Sequence, residues 1–247
     1  KKTDAAPAKS QKTKPVKALE DSLTPLDRIM LKLTNSIEAG NMHPYLLDHE
    51  VANYDLSLDK DGNLLGIGVN LRESFVGDSY KPKPQTMLTI SPEGKTTLEP
   101  GAKFFCSALM IGHQAFRQLV KKRLRRGDGP EIYVTVDYPT GAFLHMHTGK
   151  PVAVAFKNAN IKTVVAFFAK KFPYSKVIAC LNSEESKYAS RDKAALEALR
   201  SGGLVTYPTF NKCEKFQSLC SFNDLGMVHG PDVALARLQE GIQGGTK

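Results

Sequence analysis

The period of hydrophobic and polar positions changes repeatedly along the chain, and each change predicts an element. In Glu131-Ile-Tyr-Val-Thr-Val136 the residues Ile132, Val134 and Val136 alternate with Tyr133 and Thr135, a β-branched pattern that predicts a strand. Pro139 to Gly141 reads as a tight turn, a short helix follows, and Gly149 stands where a helix C-terminus takes a left-handed residue. The apolar run Lys150-Pro-Val-Ala-Val-Ala-Phe156 is a second strand, and so short a crossover predicts a parallel βαβ unit. The alternation then continues. An amphipathic helix over 160–172 (Ile161, Val164, Val165, Phe168) precedes a strand over 176–181, and a helix over 190–200, capped by Ser190, stops at Gly202 and Gly203. A fourth strand covers 204–207, and a last helix runs from Pro231 to Ile242. Four strands alternating with helices predict a doubly wound parallel sheet, a fold class that places its chemistry at the carboxyl ends of the strands.

The preceding half reads differently. Pro25, Leu26, Ile29, Met30, Leu33 and Ile37 have helical spacing that ends near Gly40. Residues 41–110 are β-rich: a hairpin turns at Asp59-Lys-Asp-Gly-Asn63, a second pair is joined by Ser91-Pro-Glu-Gly94, and Phe104 to Ile111 is an apolar strand. Asp59 and Asp61 beside Gly62 lack the later ligands of a calcium loop. Residues 116–126 predict a helix with Phe116, Leu119, Val120 and Leu124 on one side, and Gly127-Asp-Gly-Pro130 breaks the chain. The expected organisation is a disordered basic tail (1–20), a helix plus β-rich α+β lobe (21–128) and an α/β domain (129–247).

Composition changes this picture little and charge changes it locally. The apolar fraction of 41% is that of a soluble protein, no run reaches the length of a membrane span, and no signal-peptide pattern opens the chain. A cytoplasmic protein without membrane insertion is expected. Cys106, Cys180, Cys213 and Cys220 lack CxxC spacing, so zinc is not indicated; Cys180 reads as a reduced core thiol, Cys213 and Cys220 as a buried thiol pair. The net charge of +9 lies almost entirely in residues 1–17 and in Lys121-Lys-Arg-Leu-Arg-Arg126, each +5, which leaves about −1 elsewhere. Lys121, Lys122, Arg123, Arg125 and Arg126 form either a solvated helix end, where cations complement the dipole, or a contact for nucleic acid or an acidic partner.

Several short motifs, taken in order, resemble a known family. Tyr138-Pro-Thr-Gly-Ala-Phe-Leu-His145, Thr148-Gly-Lys-Pro-Val152, Ala155-Phe-Lys-Asn-Ala-Asn160, Ser221-Phe-Asn-Asp-Leu225 and Val228-His-Gly230 are similar to the toprim domain of TraC-like plasmid, phage and conjugation DNA primases. His43-Pro-Tyr-Leu46, Asp61-Gly-Asn-Leu64, Phe104 and Met110-Ile-Gly112 resemble the segment that precedes toprim in those primases. The resemblance implies a toprim-like α/β fold behind a β-rich lobe. It also implies a site with one glutamate, in the pattern Glu-Gly-Tyr-x-Thr-Gly, and an Asp-x-Asp pair that holds magnesium.

At those positions the family acids are missing. Alignment on Tyr138, Thr140 and Gly141 places Val136 at the glutamate and Asp137 at the glycine; alignment on Val177-Ile-Ala places Leu181 and Ser183 at the two aspartates, with Asn182 between. Asp137 is one residue late, which along an extended segment turns its side chain to the other face. Glu184 and Glu185 lie just beyond. Lys157 is expected to fill the vacated site, pairing with Asp137 or Glu184. His145 and His147, two apart, do not share a helix face; His229 reads as a turn or capping residue and Asp224 as a turn cap. The resulting expectation is a pseudo-enzyme with no catalytic residue, no cofactor and no metal. It would be a scaffold with protein partners in a plasmid-transfer or type IV secretion assembly such as a coupling complex, recruited to the inner membrane by its partners. The alternatives are a nucleic-acid-binding accessory of replication or priming, making weak DNA or RNA contacts through the tail and residues 121–126, and an active primase with relocated metal ligands.

Overall fold

The structure, a computed structural model, describes residues 23–122, 129–183 and 188–244. In the first half, helix α1 (Pro25–Thr34) is followed by β1 (Ile37–Glu38), α2 (Pro44–Asp48), β2 (Ser57–Leu58), β3 (Leu64–Asn70) and α3 (Leu71–Ser74). A small ribbon of β4 (Phe75–Val76) and β5 (Ser79–Tyr80) precedes β6 (Pro84–Ile90), β7 (Thr96–Leu98), β8 (Ser107–Ile111) and α4 (His113–Lys121). The second half contains β9 (Glu131–Thr135), α5 (Tyr138–Thr148), β10 (Val152–Val154), α6 (Asn158–Lys171), β11 (Lys176–Cys180) and α7 (Tyr188–Arg200). It ends with β12 (Leu204–Thr206), α8 (Lys212–Phe216), α9 (Phe222–His229) and α10 (Pro231–Gly244). Among the described residues no helix is long and apolar enough to cross a membrane.

Strands β10, β9, β11 and β12 lie side by side in that order, all parallel, as the alternation predicts. Period-two alternation sends Tyr133, Val152, Val154, Ile178 and Cys180 to one face and Ile132, Val134, Ala153, Val177 and Ala179 to the other. Helices α5, α9 and α10 cover the first face with Phe143, Leu225 and Leu238; α4, α6 and α7 cover the second with Phe116, Phe168 and Ala198. The fold is therefore a doubly wound α/β sheet preceded by a β-rich α+β lobe. At roughly 1.5–3 kcal/mol per fully buried large apolar side chain, these two layers are the main source of stability.

The lobe boundary expected near residue 128 is bridged by one continuous sheet. Strand β8 pairs antiparallel with β10, setting Ile111 opposite Val152 and Leu109 opposite Val154. Strand β3 pairs with β6 along one edge and, along the other, first with β2 and then with β8. Helix α1 closes its own small core of Ile29, Leu65 and Met87. It is locked by Glu99, a buried carboxylate that accepts from Arg28 Nε at 2.7 Å and Lys32 Nζ at 2.8 Å.

Several expectations need correction. The first helix stops at Thr34 because the chain enters β1, so Ile37 belongs to an exposed edge strand. Pro139 to Gly141 do not form a turn: Asp137 caps α5, and the three residues make its first turn, where a proline loses no hydrogen bond. Ser190 lies inside α7 and is not its cap. The strand starts at Ser107, since Phe104 and Phe105 stack on each other in the loop before it. Helix α4 ends at Lys121, with Lys122 already extended; Leu124, Arg123, Arg125 and Arg126 lie outside the described residues. Cys213 is exposed and Cys220 half-buried, not a buried pair, whereas Cys180 is fully buried and its thiol pushed up by burial.

Candidate functional site

The carboxyl ends of β9, β10 and β11 define the edge where this fold class places chemistry. Strand β9 runs out through Val136 into Asp137, whose side chain turns back to cap α5: one carboxylate oxygen accepts the Thr140 N–H at 2.9 Å. The other accepts from Asn182 Nδ2 at 2.7 Å, across to the end of β11. Thr135 adds a hydroxyl hydrogen bond to the Asp137 carbonyl at 3.1 Å.

The other three positions singled out in the sequence face away from this pair. Leu181 is fully buried in the core under α6 and α7, and Val136 packs against the same core. Ser183 is buried; its N–H and its hydroxyl both donate to the Cys220 carbonyl, at 2.7 and 3.3 Å, tying β11 to the loop before α9. The edge thus brings together Asp137 and Asn182, with Val136, Leu181 and Ser183 in structural duties.

A hard cation such as magnesium takes oxygen ligands, mainly carboxylates. Val136 and Leu181 offer hydrocarbon, the Ser183 hydroxyl is committed to a backbone carbonyl, and both Asp137 oxygens already accept hydrogen bonds. This donor set does not fit the ion. Among the described residues no group of three or more His, Cys, Asp and Glu is arranged to hold a metal. Glu184 and Glu185 lie outside the described residues.

Lys157 does not fill the site. Its Nζ sits 5.0 Å over the Phe104 ring, drawn to the π face rather than to Asp137. Asp224 forms a reciprocal capping box with Ser221 at the start of α9 and also accepts the Cys220 N–H at 2.8 Å. His229, the last residue of α9, meets Glu214 at 2.7 Å. His145 binds the Lys150 carbonyl and His147 packs on Phe143, so they do not converge. Asp59 holds the predicted hairpin by accepting the N–H groups of Asp61 and Asn63. Lys121 and Lys122 are exposed.

Two features of the site region have no role assigned to them in the sequence. Asn160, fully buried in α6, donates to the carbonyls of Ser107 (2.8 Å) and Ala155 (3.0 Å) and accepts the Cys106 N–H, fastening β8 to the end of β10. Its signal is an amide on the apolar side of an amphipathic helix. Phe156, just past β10, holds φ +68°, and its ring lies where a Cβ on Gly68 would be 2.8 Å away, so the strained phenylalanine and the bare glycine require each other.

Away from this edge, a cavity of about 410 Å³ is lined in part by Asp55, His113 and Arg117. The His113 ring stacks on Tyr80 and its Nδ1 meets the Tyr80 hydroxyl at 2.8 Å; Nε2 lies 3.7 Å from Asp55. Burial holds the His113 pKa below its ordinary value, with Asp55 opposing and Arg117 adding to that shift.

No protein-family model matches the sequence, and comparison with curated proteins gives no match. The fold does have relatives. The chain is similar to the primase fragment of the bacteriophage T7 primase-helicase protein, with a TM-score of 0.51 at 12% identity over 82% of this chain and 74% of that one. The fold is primase-like. A second similar chain comes from the bacteriophage T7 lagging-strand DNA polymerase interacting with primase domains bound to an RNA/DNA hybrid and dTTP. Its TM-score is 0.51 at 11% identity, over 85% of this chain and 92% of that one. Both likenesses extend over most of this chain, as one sheet running through both lobes requires.

Proposed function

We propose that this chain is a primase-derived subunit that lacks metal-dependent phosphoryl transfer and acts as a protein-interaction scaffold. The observation that carries the reading is the Asp137–Asn182 hydrogen bond, an amide engaging the one described carboxylate at an edge where the family needs three acids. Two-metal catalysis works by stabilising developing charge; with hydrocarbon at two ligand positions that contribution has no source. The framework around the edge is intact meanwhile: both cores, the α5 cap and the Asn160 bridge are fully formed.

The setting follows the sequence resemblance, a plasmid-transfer or type IV secretion assembly with this subunit in its coupling complex at the inner membrane. The bacteriophage T7 primase domains interact with a polymerase in their structure, an example of this fold meeting another protein. A nucleic-acid accessory role is the second reading, favoured by the exposed Lys121 and Lys122.

The test is co-purification of the tagged subunit, with and without nuclease, for the wild type and for a variant carrying Asp137→Ala, Glu184→Ala and Glu185→Ala. Stoichiometric partners that survive nuclease and are retained by the variant support the scaffold. Partners lost with nuclease support the nucleic-acid reading, and loss of function in the variant contradicts the pseudo-enzyme.

A further inference from the structure

Helix α6 carries Lys162, Lys170 and Lys171 and no acidic residue. Its apolar stripe of Ile161, Val164, Val165 and Phe168 is buried in the second core, which forces the polar side outward beside α3. There the two helices border a groove of about 810 Å³. Ala166 and Phe167 line it together with Arg72, Lys162, Lys170 and Lys171, and none of its lining residues is acidic.

The cations differ in how far they are already engaged. Lys171 donates to the Gly77 carbonyl at 2.6 Å, and Lys162 lies 3.7 Å from Glu197. Arg72 and Lys170 are exposed and have no anionic partner among the described residues. Lys162 and Lys170 are two turns apart on one side of the helix, about 12 Å along its axis, with Ala166 between them. The arrangement is an apolar patch between separated positive charges.

We propose that this groove docks an acidic, amphipathic peptide segment of a partner protein. Carboxylates of the segment pair with Arg72 and Lys170, and an apolar side chain settles over Ala166 against Phe167. Charge complementarity selects the acidic partner, because a rim in which, among the described residues, Arg72 and Lys170 lack counter-charges and Glu197 meets only Lys162 repels a basic one. The apolar part selects a peptide over a nucleic-acid strand. Phe167 is half-buried and held against Phe75 and Phe168 at ring separations of 5.6 and 5.3 Å, so it does not offer the open aromatic face on which bases stack. The inference rests on the interaction-subunit reading for its biological sense, yet its test does not depend on that reading.

The experiment is fluorescence anisotropy with a short fluorescein-labelled peptide of glutamates interrupted by phenylalanines. Single-stranded oligothymidylate and the same peptide with serine for phenylalanine serve as comparisons. The double substitution Arg72→Glu and Lys170→Glu weakens peptide binding about tenfold or more, close to 1.4 kcal/mol per factor of ten. Ala166→Glu, a second variant at an exposed helical position, does the same, and the serine peptide binds more weakly than the phenylalanine peptide. Thermal melts of both variants match the wild type, since none of the three side chains is buried. Unchanged peptide affinity in both variants overturns the proposal. So does tighter binding of oligothymidylate that is lost in the same variants. In either case, nuclease-resistant partners retained by the subunit would leave the scaffold reading standing on another surface.

Discussion

Asn182 Nδ2 donates to Asp137 at 2.7 Å, joining the carboxyl ends of two adjacent parallel strands, β9 and β11. The contact spans 45 residues of sequence and holds the cap of α5 against the loop that leaves β11. An amide supplies here the positive hydrogen-bonding edge that a cation supplies between carboxylates.

Asn182→Asp tests this directly. It replaces a donor by a second carboxylate within hydrogen-bonding distance of the first, at an expected cost of about 1–3 kcal/mol at neutral pH. One carboxyl of the pair then holds its proton to a higher pH in the folded state than in the unfolded chain. The variant therefore approaches wild-type stability at acid pH and loses it as pH rises through that raised pKa. Denaturant melts from acid to neutral pH measure the difference.

Leu181→Asp restores an acid at the first position of the family's pair, yet Leu181 is fully buried among apolar side chains. It is expected to destabilise by about 3–5 kcal/mol, from lost packing and an unpaired buried acid, without creating a magnesium site. Calorimetric titration with magnesium, alongside a melt, checks both parts.

The parallel half of the fold was legible because its strands carry strict period-two alternation and its helices begin or end on Pro231, Gly149 and Gly202. The positions read from the sequence as Val136, Leu181 and Ser183 follow within three residues of the ends of β9 and β11. What the sequence hid was tertiary. The β8–β10 pairing that fuses the lobes joins residues about forty apart with no local signal, and Asn182 had no reading until Asp137 stood opposite it. Helix α8 is five residues long, too short for a helical period to register, and α9 is announced only by Ser221 and Asp224 at capping-box spacing. Lys157 was misplaced because its nearest attraction is the ring of Phe104, 53 residues away in sequence and unrelated to the site.

Glu99 makes a separate prediction about the first lobe. Burial alone would raise its pKa, but the hydrogen bonds and charges of Lys32 and Arg28 outweigh burial and hold it below the usual glutamate value. The network therefore contributes fully above the ordinary glutamate range and is lost as pH falls through the lowered pKa. Glu99→Gln should cost about 2–4 kcal/mol at pH 7, and wild type and variant should converge in acid. Urea unfolding at the two pH values resolves this.

His113 adds a second loss of stability on acidification, at higher pH than that of Glu99. Its folded pKa is lowered, mainly by burial, so protonation is disfavoured in the folded state. Its neutral form is fully tolerated above the unfolded value near 6.5, and stability falls as pH drops below it. His113→Gln should flatten the melting temperature between about pH 6.5 and 5 while the wild type declines over that window.

The most direct measurement of the central claim is magnesium-dependent ribonucleotide incorporation on a single-stranded template, with the purified wild type beside the variant carrying Asp137→Ala, Glu184→Ala and Glu185→Ala. The account predicts no incorporation above the enzyme-free blank for either protein. Magnesium-dependent synthesis by the wild type that disappears in the variant would contradict it and place working metal ligands among Asp137, Glu184 and Glu185.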